Sequence, residues 1–159
     1  MRERSALLEE IEQRLRRLSA ERLRVVSDFL AYLEEWEASE VTQELLQIPD
    51  FEQAFREATK QVEQGQVVRF LDTRYELLLT HVARSFYQRA DPALVRRLNR
   101  CFQHLGENPY EHRNIKKLKG PLEGYFRYRI GDWRVIYKID ETNRRVTVML
   151  IVHRSKAYR

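Results

Sequence analysis

Residues 125–137 read Tyr125-Phe126-Arg127-Tyr128-Arg129-Ile130-Gly131-Asp132-Trp133-Arg134-Val135-Ile136-Tyr137, two aromatic-rich apolar runs joined by Gly131-Asp132. Glycine at the first central position is what a two-residue type II′ hairpin turn requires, because that position takes a positive φ. The turn then fixes the register: Ile130 faces Trp133, Arg129 faces Arg134, Tyr128 faces Val135 and Arg127 faces Ile136. Side chains alternate across a strand. Phe126, Tyr128, Ile130, Trp133, Val135 and Tyr137 therefore make a predicted core face, and Arg127, Arg129 and Arg134 gather on the other. Like charges placed directly opposite cost roughly 0.2–1 kcal/mol. A ribbon that still collects three guanidiniums on one face is expected to bind an anion there.

Working outward, 145–153 is a further apolar strand ending in His153-Arg154, with Tyr158 beyond it, and Glu141-Thr-Asn-Arg144 makes the intervening turn. Upstream, Tyr75–Thr80 reads as a strand, and 81–89 and 92–106 as helices. The second helix opens at Asp91-Pro92, where the missing N–H of proline costs nothing. Cys101 falls at core spacing with Leu98, Phe102 and Leu105, so a buried structural thiol is expected. The order β-α-α-β-β-β predicts an α+β fold, a small antiparallel sheet with a helical hairpin on one face and the other face open.

The strand Tyr75-Glu-Leu-Leu-Leu-Thr80, the helix end Leu105-Gly-Glu-Asn-Pro109, Lys117-Leu118-Lys119-Gly120, the arginine hairpin and His153-Arg154 with Tyr158 together resemble the RelE/ParE superfamily of bacterial toxins over about 75–158. Members of the RelE branch cut messenger RNA on the ribosome. The resemblance implies that Arg127, Arg129, Arg134 and Arg154 grip the scissile phosphate and that His153 or Tyr158 serves proton transfer. Arginine suits the first task through planar bidentate hydrogen bonds. It cannot serve as a base, because its pKa is above about 12. Several relatives carry lysine at the places of Arg127 and Arg129, and others a glutamate base where this chain has Lys116, so the base stays open. Lys116, Lys117 and Lys119 are expected to make general RNA or ribosome contacts. Tyr125 stacks a base or packs on a neighbouring arginine, and His153 has the alternative of a strand-end imidazole bonded to a backbone carbonyl.

The first half has a different character. Residues 1–74 hold 11 Lys+Arg against 16 Asp+Glu, a net −5, and residues 75–159 hold 18 against 8, a net +10. Leu7, Leu8, Ile11, Leu15 and Leu18 stripe a first amphipathic helix. A second, capped by Ser19, carries two stripes: Leu23, Val26, Leu30 and Leu33, and Val25, Phe29, Tyr32 and Trp36. Residues 40–48 read as a weaker helix. Pro49-Asp50 opens another, with Phe51, Phe55, Ala58 and Val62, ended by Gly65, and Val67-Val68-Arg69-Phe70 is a short extended piece able to join a sheet edge. This pattern over about 5–72 resembles the RelB-type antitoxins that accompany RelE toxins. The resemblances together imply an antitoxin (1–74) and a toxin (75–159) fused in one chain. Phe51, Phe55, Val62, Val67, Val68 and Phe70 would make the inhibitory contact, in cis or in trans, and residues 5–36 a homodimer, with operator DNA a further possible partner.

One cysteine excludes a disulfide framework, and His81, His104, His112 and His153 lack metal-ligand spacing, so neither metal nor cofactor is expected. No apolar run approaches the roughly 20 residues of a membrane span and no signal region opens the chain, which predicts a cytoplasmic protein with no membrane partner. Besides an inhibited ribonuclease, the sequence admits a ParE-like or inactive module acting on gyrase by protein binding, a dimeric operon autorepressor, and a ribosome- or RNA-binding module.

Overall fold

The computed structural model describes residues 2–155. The chain divides into two compact units, the first ending at Glu37 and the second beginning at Ala38. In the first unit, α1 (Arg2–Arg16) buries none of its residues. The second helix, α2 (Ala20–Leu46), is continuous through the stretch expected to be a separate weak helix at 40–48. No glycine or proline interrupts 37–46, and Thr42 returns its hydroxyl to the Ala38 carbonyl at 2.9 Å, which satisfies the side chain without breaking the helix. Up to Glu37, α2 is also unburied: Leu30 and Leu33 of one stripe and Phe29, Tyr32 and Trp36 of the other are all exposed. The large apolar residues of α1, Leu7, Leu8 and Ile11, are exposed as well.

The second unit is a six-stranded sheet with helices on both faces. After α2 come α3 (Phe51–Glu63), β1 (Val67–Asp72), β2 (Glu76–Thr80), α4 (His81–Arg89), α5 (Pro92–Glu107), β3 (Ile115–Lys117), a 3₁₀ turn (Gly120–Leu122), β4 (Phe126–Ile130), β5 (Trp133–Asp140) and β6 (Arg145–His153). The strand order is β1-β2-β6-β5-β4-β3. All neighbours are antiparallel except β2 and β6, which run parallel: the α4–α5 hairpin carries the chain from β2 to β3 at the far edge, and the antiparallel run β3-β4-β5-β6 returns to lie beside β2. The expected α+β core is present, extended by β1 at one edge and β3 at the other.

Local chemistry explains the joints. Thr80 closes β2 and caps α4: its Oγ1 accepts from the Ala83 N–H at 3.2 Å and donates to the Met149 carbonyl at 2.7 Å. Met149 is the extra residue of a β-bulge, since Ile136 pairs with Leu150 while Tyr137 pairs with Val148. Asp91 caps α5 by accepting from the Leu94 N–H at 2.8 Å, with Pro92 at the helix start. Gly106 lies inside α5 because a Cβ there would collide with the Thr73 hydroxyl, and its carbonyl receives the Tyr75 N–H at 2.8 Å.

Two hydrophobic layers sandwich the sheet. On one face α4 and α5 pack Ala83, Leu94, Leu98, Phe102 and Leu105 over Leu77, Leu79, Tyr128, Val135, Tyr137 and Ile151. Cys101 lies in this layer, and burial pushes its thiol well above the usual range. On the other face Leu45 of α2 and Ile48 in the turn after it, with Phe51, Ala54 and Ala58 of α3, cover Leu118, Leu122, Ile136, Leu150 and Val152. The face expected to be open is therefore covered. One apolar stripe, Leu45-Ile48-Phe51-Ala54-Ala58, runs across the Pro49 turn and needs the sheet as its partner. Residues 38–72 accordingly share a compact unit with 75–155, and the break at Arg74 is one of charge, not of packing.

Candidate nucleic-acid interface

The hairpin sets the geometry. Gly131 has φ 57°. Every expected pair is observed, Ile130 with Trp133, Arg129 with Arg134, Tyr128 with Val135 and Arg127 with Ile136. Lys116 of β3 stands opposite Arg127, so the second face carries Lys116, Arg127, Arg129 and Arg134 on three adjacent strands. Lys117 pairs with Phe126, which places it on the opposite face.

The four cations differ in their surroundings. Arg129 is exposed, with its Nε 3.4 Å from the Gly131 carbonyl. Arg127 is buried and its Nη1 donates to the Asn114 carbonyl at 2.8 Å. Arg134, 3% exposed, donates through Nη1 to the carbonyls of Gly131 (2.6 Å) and Trp133 (3.0 Å) and through Nε to Glu44 Oε1 at 2.7 Å. The repulsion inferred from the sequence is thus offset by a carboxylate from α2. Replacing Arg134 would therefore not simply relieve repulsion, because its removal would leave Glu44 and two carbonyls without their donor.

The remaining expected residues fall in three places. His153 pairs with Trp133 across the ladder, and its ring meets the Trp133 ring edge-on at 5.0 Å, on the α4–α5 side and away from the arginines. Its Nδ1 accepts from the Ser155 N–H at 3.2 Å, a bond to a backbone donor and not to the carbonyl expected of a strand-end imidazole. Arg154 lies at the hairpin tip, its Nε 3.3 Å from Asp132 and its N–H donating to the Asp132 carbonyl at 2.8 Å. Tyr158 lies outside the described residues. Tyr125 is on the arginine side, as expected, but it packs edge-on against Phe55 at 4.8 Å rather than on an arginine. The Lys119 backbone N–H donates to Thr42 Oγ1 at 2.7 Å.

The six apolar residues assigned to an inhibitory contact do not form one surface. Phe51, Phe55 and Val62 belong to the layer over the arginine side. Val68 and Phe70 belong to the opposite layer, where Phe70 meets Phe102 at 5.2 Å and Tyr87 at 5.0 Å. Val67 is half-buried on β1, paired with Thr80. The alternation of β1 sends its side chains to both faces. Thr42, Glu44, Leu45 and Ile48 went unassigned in the sequence. The apolar spacing of Leu45, Ile48 and Phe51 was legible; the meeting of Glu44 with Arg134, ninety positions on, was not.

Among the described residues no group of three or more His, Cys, Asp or Glu side chains is placed to hold a metal ion, and no helix is long and apolar enough to cross a membrane.

Residues 75–158 match the family model described as the ParE toxin of the type II toxin–antitoxin system parDE. The protein named Toxin RelE of Mycobacterium tuberculosis (strain ATCC 25618 / H37Rv) is 45% identical over 58 residues, which are 36% of this chain and 58% of that relative, so only part of its length is spanned. Among solved structures, the RelBE2 toxin–antitoxin complex of Mycobacterium tuberculosis is similar at 26% identity and a TM-score of 0.46, covering 51% of this chain and 99% of that one. The archaeal RelE–RelB complex of Pyrococcus horikoshii OT3 is similar at 23% identity and a TM-score of 0.47, covering 54% and 100%.

Proposed function

Because the chain belongs to the ParE toxin family of type II toxin–antitoxin systems, we propose that its toxin module is a RelE-like, metal-independent endoribonuclease acting on messenger RNA at the ribosome. In this reading the residues ahead of the module act as its antitoxin. The observation that carries the reading is the alignment of Lys116, Arg127, Arg129 and Arg134 on one face of three adjacent strands. Cleavage without a metal lets the ribose 2′-hydroxyl attack the adjacent phosphate, which needs positive charge on the pentacoordinate phosphate and groups to take and give a proton. Arg127, Arg129, Arg134 and Arg154 are the proposed phosphate grip, with Lys116, Lys117 and Lys119 as backbone contacts. Tyr158 is the proposed proton-transfer group, because His153 faces the α4–α5 side, away from a phosphate held by the arginines. Residues 38–63 lie over that face, which supports silence of the full-length chain.

Inducing residues 75–159 without the first 74 tests this: growth arrest with cut messenger RNA is expected, and no arrest from the full chain. A second reading, poisoning of gyrase by protein binding, is favoured by the placement of His153 on the face opposite the arginines. Arrest with intact messenger RNA and damaged DNA would select it. We further propose that the exposed apolar residues of the first 37 positions join two copies of the chain, with operator DNA as a possible ligand of that dimer.

A further inference from the structure

Arg134 is held by its own hairpin. Its Nη1 is fixed by the Gly131 and Trp133 carbonyls at 2.6 and 3.0 Å, so the guanidinium keeps its position without help from α2 and presents its Nε edge to whatever lies above the sheet. What lies there is an oxyanion. Glu44 Oε1 accepts from that Nε at 2.7 Å, the distance of a charge-assisted hydrogen bond. Two residues earlier on the same helical turn, Thr42 Oγ1 receives the Lys119 backbone N–H at 2.7 Å. Two donors of the basic face are thus occupied by two side-chain oxygens from the last turns of α2.

Glu44 offsets the charge of buried Arg134, but its own side chain is 44% exposed, so the carboxylate can exchange with another anion at little desolvation cost. The apolar layer beside it, Leu45 and Ile48 on Leu118, Leu122 and Ile136, already holds the helix end to the sheet. An exposed carboxylate on a preorganised, buried guanidinium is instead the arrangement of a ligand that can be exchanged. A phosphodiester carries the same single negative charge and offers the same kind of acceptor oxygen.

We propose that Glu44 is an internal substitute ligand. Its carboxylate occupies the Arg134 oxyanion site in place of an RNA phosphodiester, with Thr42 doing the same at the Lys119 N–H, and RNA enters only by displacing the end of α2. This rests on the reading of the arginine face as the RNA-binding face. Being tethered in the same chain, the carboxylate competes at a high effective concentration, so a single substitution should be readable in binding.

The test uses the full-length chain and a short, fluorescently labelled single-stranded RNA followed by anisotropy over a range of salt. Glu44→Gln keeps an acceptor for the Arg134 Nε and removes the charge, so the fold is retained. Glu57→Ala removes an exposed charge from α3. RNA affinity is expected to rise about tenfold in Glu44→Gln, with the slope of log K against log salt steeper by about 0.7, the signature of one more phosphate contacted on a single strand. Glu57→Ala is expected to stay near wild type, and adding Arg134→Lys to Glu44→Gln is expected to cancel the gain. Equal affinity of wild type and Glu44→Gln, or an equal rise in Glu44→Gln and Glu57→Ala, overturns the proposal. If residues 75–159 cut messenger RNA in cells while Glu44→Gln gains nothing, the substitute ligand is wrong and the ribonuclease reading stands. If Glu44→Gln gains affinity but 75–159 leaves messenger RNA intact, cleavage is wrong and the oxyanion site stands.

Discussion

Thr80 shows how much one small side chain can hold. Its hydroxyl caps α4 through the Ala83 N–H and ties the Met149 carbonyl at the β6 bulge, while being fully buried. Thr80→Val keeps the shape and removes both bonds. It is expected to lower stability by about 1–2 kcal/mol, from a lost cap and an unsatisfied carbonyl, read as a lower urea midpoint with unchanged slope. Gly106→Ala should also destabilise, by about 1–3 kcal/mol, although alanine is the better helix former. The cause is the collision with Thr73, so Thr73→Ala combined with Gly106→Ala should recover part of the loss in the same measurement. Arg134→Ala should cost about 2 kcal/mol or more, because a buried guanidinium with three acceptors is removed. An unchanged melting temperature would return the balance to the Arg129–Arg134 repulsion.

At the scale of elements, the segment between α5 and β3 makes stability depend on pH. His112 stacks on Tyr128 at 5.0 Å, its Nδ1 accepts the Asn114 N–H at 3.0 Å, and the His104 ring lies 4.7 Å away. Burial, then the charges of His104 and Arg113, hold its pKa below the usual histidine value of 6.5. A proton on Nδ1 would also face an N–H instead of accepting from it. Because the folded pKa is the lower one, the unfolded chain takes up the proton first. The stabilisation is complete above pH 6.5 and is lost as pH falls through the folded value. A second loss follows in acid. Hydrogen bonds from Arg69 lower the pKa of Glu76, and those from the Tyr110 and Tyr75 hydroxyls lower that of Glu141, from 4.5 in each case. Tyr110 is in turn pushed up to about 12 by the same bond. Melting temperature should therefore fall in two stages, below pH 6.5 and below pH 4.5. His112→Phe should flatten the first stage alone; if it leaves that stage untouched, the assignment to His112 fails.

At the scale of the whole chain, exposed apolar surface is unevenly placed. Leu7, Leu8, Ile11, Leu23, Val25, Phe29, Leu30, Tyr32, Leu33 and Trp36 are exposed in the first unit, and among the described residues Tyr110 is the sole exposed large apolar side chain in the second. Monomeric proteins rarely leave such patches open, and two copies can bury these stripes against each other as a helical bundle. Light scattering at micromolar concentration should give a dimer, and Phe29→Asp with Leu30→Asp a monomer that keeps the secondary structure of the second unit. A monomeric wild type would remove the proposed self-association.

Local rules were enough for much of the fold. Gly131-Asp132 fixed the turn, the turn fixed the register, and the period of two then sorted Tyr128 and Val135 from Arg129 and Arg134, all within thirteen consecutive residues. Asp91-Pro92 likewise placed the start of α5, and the stretches 81–89 and 145–153 coincide with α4 and β6. The sequence by itself also determined which side chains share a strand face. It could not determine what covers that face. The partners of Arg134 and Lys119 come from Glu44 and Thr42, separated from them by 90 and 77 positions, and no periodicity links such distant residues. The same holds for His153, whose side was decided by the Met149 bulge and the pairing with Trp133. Periodicity records the faces of an element; only the packing of elements decides which faces meet, because burial depends on area removed from water by whichever partner the chain can bring there.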